Sequence, residues 1–257
     1  MALGYVESRV REVASFFGSA PIVDAYADRL TFRTGEKYMF STFLHRGKNL
    51  LDAGCGTGRA SFLLAPWFSP IEAFDIADKA VARAREENQR LGLGVRFRVA
   101  DVTELPFDAE SFDNIVFAYN GIEGIANETL RERALTELHR VLRPGGRFVL
   151  STKSAFNWEY FKEFRLKGAA KRLLARFGLA SRHWIGLDSA DILHREAGHV
   201  VRLHTTNPIL MARRLRRIGF RVLYFNSEVR LQANQTERSI RAYFHPWDHH
   251  FACEKRG

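Results

Sequence analysis

The sequence is poor in cysteine: only Cys55 and Cys253 occur in 257 residues. Two thiols build neither a disulfide framework nor a four-cysteine zinc site, and a reducing compartment fits such usage. No stretch approaches the roughly 18 uninterrupted apolar residues that a membrane-spanning helix needs. The opening residues, MALGYVESRVREVASFFGSAP, alternate charge with apolar positions and lack the basic cap and apolar run of a secretory signal. The expectation is a soluble, cytoplasmic protein. Repeats and low-complexity tracts are absent as well, which excludes solenoid and fibrous architectures.

Negative charge is also scarce, with 29 Asp and Glu against 39 Lys and Arg, a formal net charge of +10. The excess is local. Residues 153–220 hold fourteen Lys and Arg against five Asp and Glu, whereas the first 150 residues are close to neutral. Net charge bears on association more than on fold or chemistry.

Short apolar runs alternate with amphipathic stretches, the pattern of βα units around a mainly parallel sheet. Strands are expected at Lys48–Ala53, Ile71–Ile76, Val95–Ala100, Asn114–Ala118 and Arg147–Ser151. Helices are expected at Arg59–Trp67, at Lys79–Leu91 before Gly92, and at Leu130–Leu142 before Pro144 and two glycines. Pro208–Ile218 and Phe220–Phe225 read as a further helix and strand, and His250–Glu254 as a final strand. Residues 1–45 read as a helical cover over the sheet. Residues 153–208 break the βα rhythm and read as a basic helical insertion.

The strongest local signal is Leu50–Gly58, LLDAGCGTG, where an apolar strand ends in Asp52 and then in Gly54, Gly56 and Gly58. A dinucleotide fingerprint counted from Gly54 requires a glycine where Arg59 stands, and the Gly-Lys-Ser/Thr of a Walker loop is missing. What remains is a tight turn that lets backbone approach a ligand, beside an acid suited to a cationic or hydroxyl-bearing group.

With these residues the chain resembles the class I S-adenosylmethionine-dependent methyltransferases, especially the bacterial small-molecule and biosynthetic group. The resemblance covers about residues 30–152. It implies a Rossmann-like doubly wound α/β sheet of seven strands, the last antiparallel, in a single domain spanning residues 1–257. It also implies S-adenosyl-L-methionine as cofactor, its methionine part held by Asp52, Gly54, Gly56 and Gly58. Three further stretches match at strand ends. In EAFDIAD, the resemblance gives Asp75 the ribose hydroxyls and Ile76 the adenine; in RVADVTELPF, it gives Asp101 the adenine amine and Val102 the ring. FDNIVFAYN and ELHRVLRPGGRFVLST match the fourth strand and the entry to the fifth.

Each residue also has a plain structural reading. Asp75 suits a helix N-cap, a duty for which Asp78 competes, and Asp101 suits a turn. Tyr119, Asn120 and Glu123, just after the fourth strand, are the candidates nearest the expected chemistry, with Asn120 a polar contact to cofactor or acceptor or else a turn residue before Gly121. Tyr26, Arg33 and Tyr38 stand where the family often covers its ligands. His194, His199 and His204 recur every five residues, which keeps neither a helix face nor a strand face, so no metal site is expected.

The resulting reading is an enzyme that methylates an oxygen or nitrogen atom of a small-molecule or biosynthetic-intermediate acceptor by in-line displacement. RNA methylation and a noncatalytic S-adenosylmethionine-binding regulator are the alternatives. Leu166–Phe177, LKGAAKRLLARF, is amphipathic with a basic face. It reads as a solvated lid helix, a contact for an anionic acceptor or for an anionic membrane carrying a lipid-linked one, or an RNA contact.

Overall fold

The computed structural model describes residues 2–156 and 192–257. Nine strands and eight α-helices are formed among them: β1 (Leu50–Ala53), β2 (Ile71–Asp75), β3 (Arg96–Val99), β4 (Phe112–Phe117), β5 (Leu142–Thr152), β6 (Ile192–Glu196), β7 (His199–Leu203), β8 (Phe220–Ser227) and β9 (His249–Lys255), with α1 (Ala2–Phe17), α2 (Ala20–Ala27), α3 (Thr34–Phe43), α4 (Arg59–Leu64), α5 (Asp78–Leu91), α6 (Glu128–Val141), α7 (Pro208–Ile218) and α8 (Glu228–Gln232). Seven strands make one sheet in the order β3-β2-β1-β4-β5-β9-β8. The pairs among β1 to β5 are parallel, and β9 runs antiparallel to both of its neighbours.

Alternation along the strands sorts side chains to the two faces of the sheet. Leu51, Phe74, Ile115, Phe148 and Phe251 meet α6 and α7 through Leu135, Leu138, Met211 and Leu215. Leu50, Ala73, Val116, Val149 and Ala252 meet α3, α4 and α5 through Met39, Phe40, Leu64, Val81 and Ala84. The result is a three-layer α/β/α sandwich. Its helices begin and end where local chemistry dictates. Asn127 caps α6 by accepting from the Leu130 N–H, Asn207 caps α7 ahead of Pro208, and Gly92 closes α5 at a φ of +65°.

Two sequence expectations shift. The fifth strand begins at Leu142, opposite Phe112, and Arg143–Gly146 then loop out before Arg147 pairs with Asn114. Pro144 and the two glycines therefore sit in an irregularity of β5. The second shift lies within 153–208, read as helical. Its last part is an antiparallel hairpin, β6 on β7, turned by Ala197 and Gly198 at φ values of +45° and +78°. Two successive residues at positive φ suit the twist of a two-residue hairpin turn. Leu166–Phe177 lies outside the described residues.

The hairpin does not join the main sheet. Ile192, Val201 and Leu203 pack instead on Val13, Phe16 and Ile22 of α1 and α2. Arg9 strengthens the joint, with one guanidinium nitrogen on Glu12 at 2.7 Å and another on the Arg202 carbonyl at 2.8 Å. This assembly lies over the C-terminal ends of the parallel strands, where ligands of open α/β sheets gather. Among the described residues no helix is long and apolar enough to cross a membrane.

Candidate active site

The glycine turn between β1 and α4 is built from backbone that other residues do not tolerate. Gly54 has a φ of +66°, and a Cβ there would fall 2.8 Å from the Phe117 ring; Gly58, at +90°, would place one 2.6 Å from Phe62. Asp52 is buried at the start of this turn, and one of its oxygens accepts from the Ser61 hydroxyl at 2.6 Å. Its other oxygen, Oδ1, has no hydrogen-bond partner among the described residues. Burial pushes the Asp52 carboxyl up to about 7, although the Ser61 hydroxyl and the Arg59 charge pull the other way.

Asp75, at the end of β2, accepts from the backbone N–H of Gly56 at 2.8 Å and of Ala77 at 2.9 Å. Burial raises its carboxyl, and these backbone donors oppose the rise. Asp101, beyond β3, accepts from the N–H and the hydroxyl of Thr103, each at 2.8 Å. Asp101 makes the turn bonds its plain structural reading foresaw, whereas Asp75 is not the N-cap of α5, a place taken by Ala77; both acids face the same cavity.

After β4 the chain turns sharply, with Tyr119 and Asn120 both at positive φ, 53° and 62°. Such strain persists where surroundings over-determine it. Here the Asn120 N–H donates to Ser151 Oγ at 2.9 Å and its side-chain amide donates to Asp248 at 2.9 Å. Asn120 Oδ1, like Asp52 Oδ1, is buried without a partner among the described residues. The Tyr119 hydroxyl accepts from Arg29 at 3.0 Å, while Arg59 and Arg33 stand over its ring at 4.8 and 5.7 Å. Such stacked guanidiniums are attracted by the ring quadrupole.

Glu123 is elsewhere. It is fully buried, accepts from the Lys153 N–H at 3.0 Å and from the Thr206 hydroxyl at 2.9 Å, and does not line the cavity. Burial raises its carboxyl to about 7. It ties β5 to the chain after β7, with the His204 N–H on its carbonyl.

The cavity holds about 260 Å³ and joins the ends of β1 to β5 to the helical cover. Asp52, Gly54, Gly56, Asp75, Ile76, Asp101, Val102, Tyr119 and Asn120 line it, as do Tyr26 and Arg33; Gly58 does not, serving as the N-cap of α4. Tyr38 packs on Phe43 and Tyr224 instead. Sequence reasoning missed Arg29, Lys153 and Glu196 on the cavity wall and Asp248 behind it. Arg29 pairs with Glu196 at 2.7 Å, and Arg33 pairs with Asp248. The one sequence signal for Asp248 is its place between Trp247 and two histidines, which reports no partner. Among the described residues no group of three or more His, Cys, Asp or Glu is placed to hold a metal ion.

Residues 50–146, the span from β1 into β5 that carries the glycine turn and both strand-end acids, match a family model described as a methyltransferase domain. Residues 50–146 thus form a methyltransferase domain. This methyltransferase domain is 41% identical over 106 residues to a demethylmenaquinone methyltransferase of Thermus thermophilus, covering 40% of the chain and 46% of that protein. An O-methyltransferase of Penicillium expansum, cnsE, is 32% identical over 151 residues, covering 58% of the chain and 51% of the relative. The chain thus spans about half the length of these relatives. In fold, the chain is similar to the 1,6-didemethyltoxoflavin-N1-methyltransferase of Burkholderia thailandensis, with a TM-score of 0.61 over 98% of this chain and 91% of that one, at 20% identity.

The residues present fit the cofactor. Asp52 and Asn120 line the cavity, and each has one buried acceptor, Oδ1, without a partner among the described residues, which an ammonium or N–H donor would satisfy. Asp75 and Asp101 line the same cavity, and each carboxylate, with about four acceptor positions, has capacity beyond the bonds to its own turn.

Proposed function

We propose that this chain transfers a methyl group from S-adenosylmethionine to an oxygen or nitrogen atom of a small-molecule acceptor. One observation carries the reading: a single cavity runs from the glycine turn and the acids of β1 to β3 to a wall made by Tyr26, Arg29, Tyr119, Lys153 and His194. In this reading the glycine turn and the acids take the cofactor at one end, which leaves the other for an acceptor. Asp52 with the glycine turn would hold the methionine part, Asp75 the ribose hydroxyls, and Ile76, Asp101 and Val102 the adenine. When bound, S-adenosylmethionine supplies an electrophilic methyl group on a positively charged sulfur.

The protein's share is largely placement, because aligning reactants in a near-attack geometry removes much of such a barrier. Asn120 and Tyr119 are suited to this work. Both are locked at positive φ, one by Ser151 and Asp248 and the other by Arg29, so neither has to be reorganised during reaction. The α1, α2 and hairpin assembly closes the cavity from above and limits water. Glu123 lies off the cavity wall, which argues against a part in proton removal.

Incubation with labelled S-adenosylmethionine and a metabolite extract tests the reading, with product atoms assigned by fragmentation mass spectrometry. A methylated small molecule formed only with active protein is expected. Label entering total RNA alone would redirect the reading to RNA, and tight cofactor binding with no product in either arm would make the chain a noncatalytic binder. Carbon methylation would change the atom but keep the class.

A further inference from the structure

Among the described residues, the arginines around the acceptor end of the cavity each have an acid within ion-pair distance, and Lys153 does not. Arg29 is paired with Glu196, Arg33 with Asp248 and Arg59 with Glu36. Lys153 also lines the cavity, yet among the described residues no carboxylate stands within ion-pair distance of its ammonium. Its charge acts on Asp248, which also pairs with Arg33 and accepts from Asn120, so two cations share one carboxylate; burial and the Lys153 charge together hold His194 below its ordinary value. Its backbone is fixed on both sides: the N–H donates to Glu123 Oε1 at 3.0 Å, and the carbonyl accepts from the Thr206 N–H at 2.7 Å. Two cations against one carboxylate leave surplus positive charge on a part-buried wall, a site for an anion, since charge-assisted bonds there are stronger than neutral ones.

We infer that Lys153 is a specificity-determining residue that binds a carboxylate or phosphate group of the acceptor, so that the acceptor is anionic. This rests on the methyl-transfer reading and names the substrate class of that same site. Two sources of an anion are available, the acceptor and the cofactor's own carboxylate, and sheet geometry favours the acceptor. Lys153 follows the end of β5, and β4 lies between β5 and β1. At about 4.8 Å per strand, the Lys153 backbone stands about 10 Å from the glycine turn at the end of β1. The cofactor residues occupy the ends of β1, β2 and β3, on the far side of β4 from Lys153.

Calorimetry on the full chain tests the assignment with S-adenosylhomocysteine first and then, on the saturated protein, with benzoate, phenyl phosphate and neutral benzamide. The wild type should bind at least one of the two anions about tenfold or more tighter than benzamide. Lys153→Met should lose that preference and Lys153→Arg should keep it, while both bind S-adenosylhomocysteine within about threefold of wild type. An equal response to anions and benzamide, no binding of either anion, or a preference retained in Lys153→Met would overturn the assignment. So would a larger loss of S-adenosylhomocysteine affinity in a folded Lys153→Met, which would give Lys153 to the cofactor's carboxylate. Wild type that fails to bind S-adenosylhomocysteine would instead sink the methyltransferase reading itself.

Discussion

Asp75 and Gly56 are joined by a 2.8 Å hydrogen bond from the glycine N–H to Oδ2, so the acid of the second strand sets the shape of the turn after the first. The same carboxylate is the one expected to meet the ribose. Its removal therefore acts twice, by losing a ligand contact and by freeing the turn.

Asp75→Ala should weaken S-adenosylhomocysteine binding by about 1.5–3 kcal/mol, the scale of hydrogen bonds to a charged group. Calorimetry at fixed pH reads it directly. An unchanged dissociation constant in a folded variant would remove Asp75 from the site.

Gly56 and Gly58 offer a controlled comparison, because both sit at positive φ but differ in crowding. A Cβ on Gly56 meets nothing within 4 Å, whereas one on Gly58 meets Phe62 at 2.6 Å and Phe97 at 3.1 Å. Gly56→Ala should cost about 1–2 kcal/mol of backbone strain, and Gly58→Ala should cost more because overpacking adds about 1–3 kcal/mol. Chemical denaturation of the two variants side by side checks the order; equal losses would contradict it.

Burial lifts Asp52 and Glu123 to about 7, above the ordinary range near 4 of the unfolded chain. Between those values the folded state holds protons that the unfolded state has released, so each group's stabilising share is complete below about pH 4. It declines as pH rises toward about 7. Glu123→Gln removes one titration, and Gln can still accept from Thr206. Its stability relative to wild type should therefore rise from pH 5 to pH 7.5. Thermal unfolding across that range is the measurement, and a pH-independent difference would count against a raised Glu123. For Asp52 the readout is binding. Affinity for S-adenosylhomocysteine, which carries an ammonium, should increase as Asp52 ionises through about pH 7, and Asp52→Asn should flatten that profile.

The cavity wall from Asp52 to Val102 was legible in the sequence because it is nearly contiguous: these residues lie at or just after the ends of three consecutive strands, β1 to β3, whose turns announce themselves through glycine and acid placement. The acceptor half was not. Arg29, Lys153, Glu196 and Asp248 come from α2's exit, the end of β5, the hairpin and the loop before β9, and no local pattern marks any of them. Glu123 illustrates the limit, since its position after β4 suggested chemistry while tertiary contacts with Lys153 and Thr206 make it internal bracing. The hairpin had a signal that went unread: β-branched Val200 and Val201 follow an Ala-Gly pair, a turn dipeptide between two short runs.

Asp248 carries two cavity residues at once, Arg33 and Asn120. Asp248→Ala should destabilise the fold by about 2–3 kcal/mol, since it strips a hydrogen-bonded charge from a part-buried arginine. It should also release Asn120 from its strained turn. Denaturant melts together with the Asn120 amide shift in NMR would show both; a native shift would mean that Ser151 alone fixes the turn.

Among the described residues strand β9 joins β8 to the rest of the sheet, and its first residues face the cover: Asp248 just before it reaches Arg33, and His250 reaches Glu228, whose carboxylate also receives the Gly35 N–H of α3. Closing the sheet and seating α3 are therefore one event. Three of the parallel strands, β1 to β3, acquire their partners from neighbouring sequence, but the acceptor wall waits for contacts such as Asn120 to Asp248, Arg29 to Glu196 and Arg33 to Asp248, which are 128, 167 and 215 residues apart, the slowest kind to form. The nucleotide-facing half is built to appear first, and a chain that lacks β9 pairing would keep a turn able to grip a cofactor while having no chamber in which to use it.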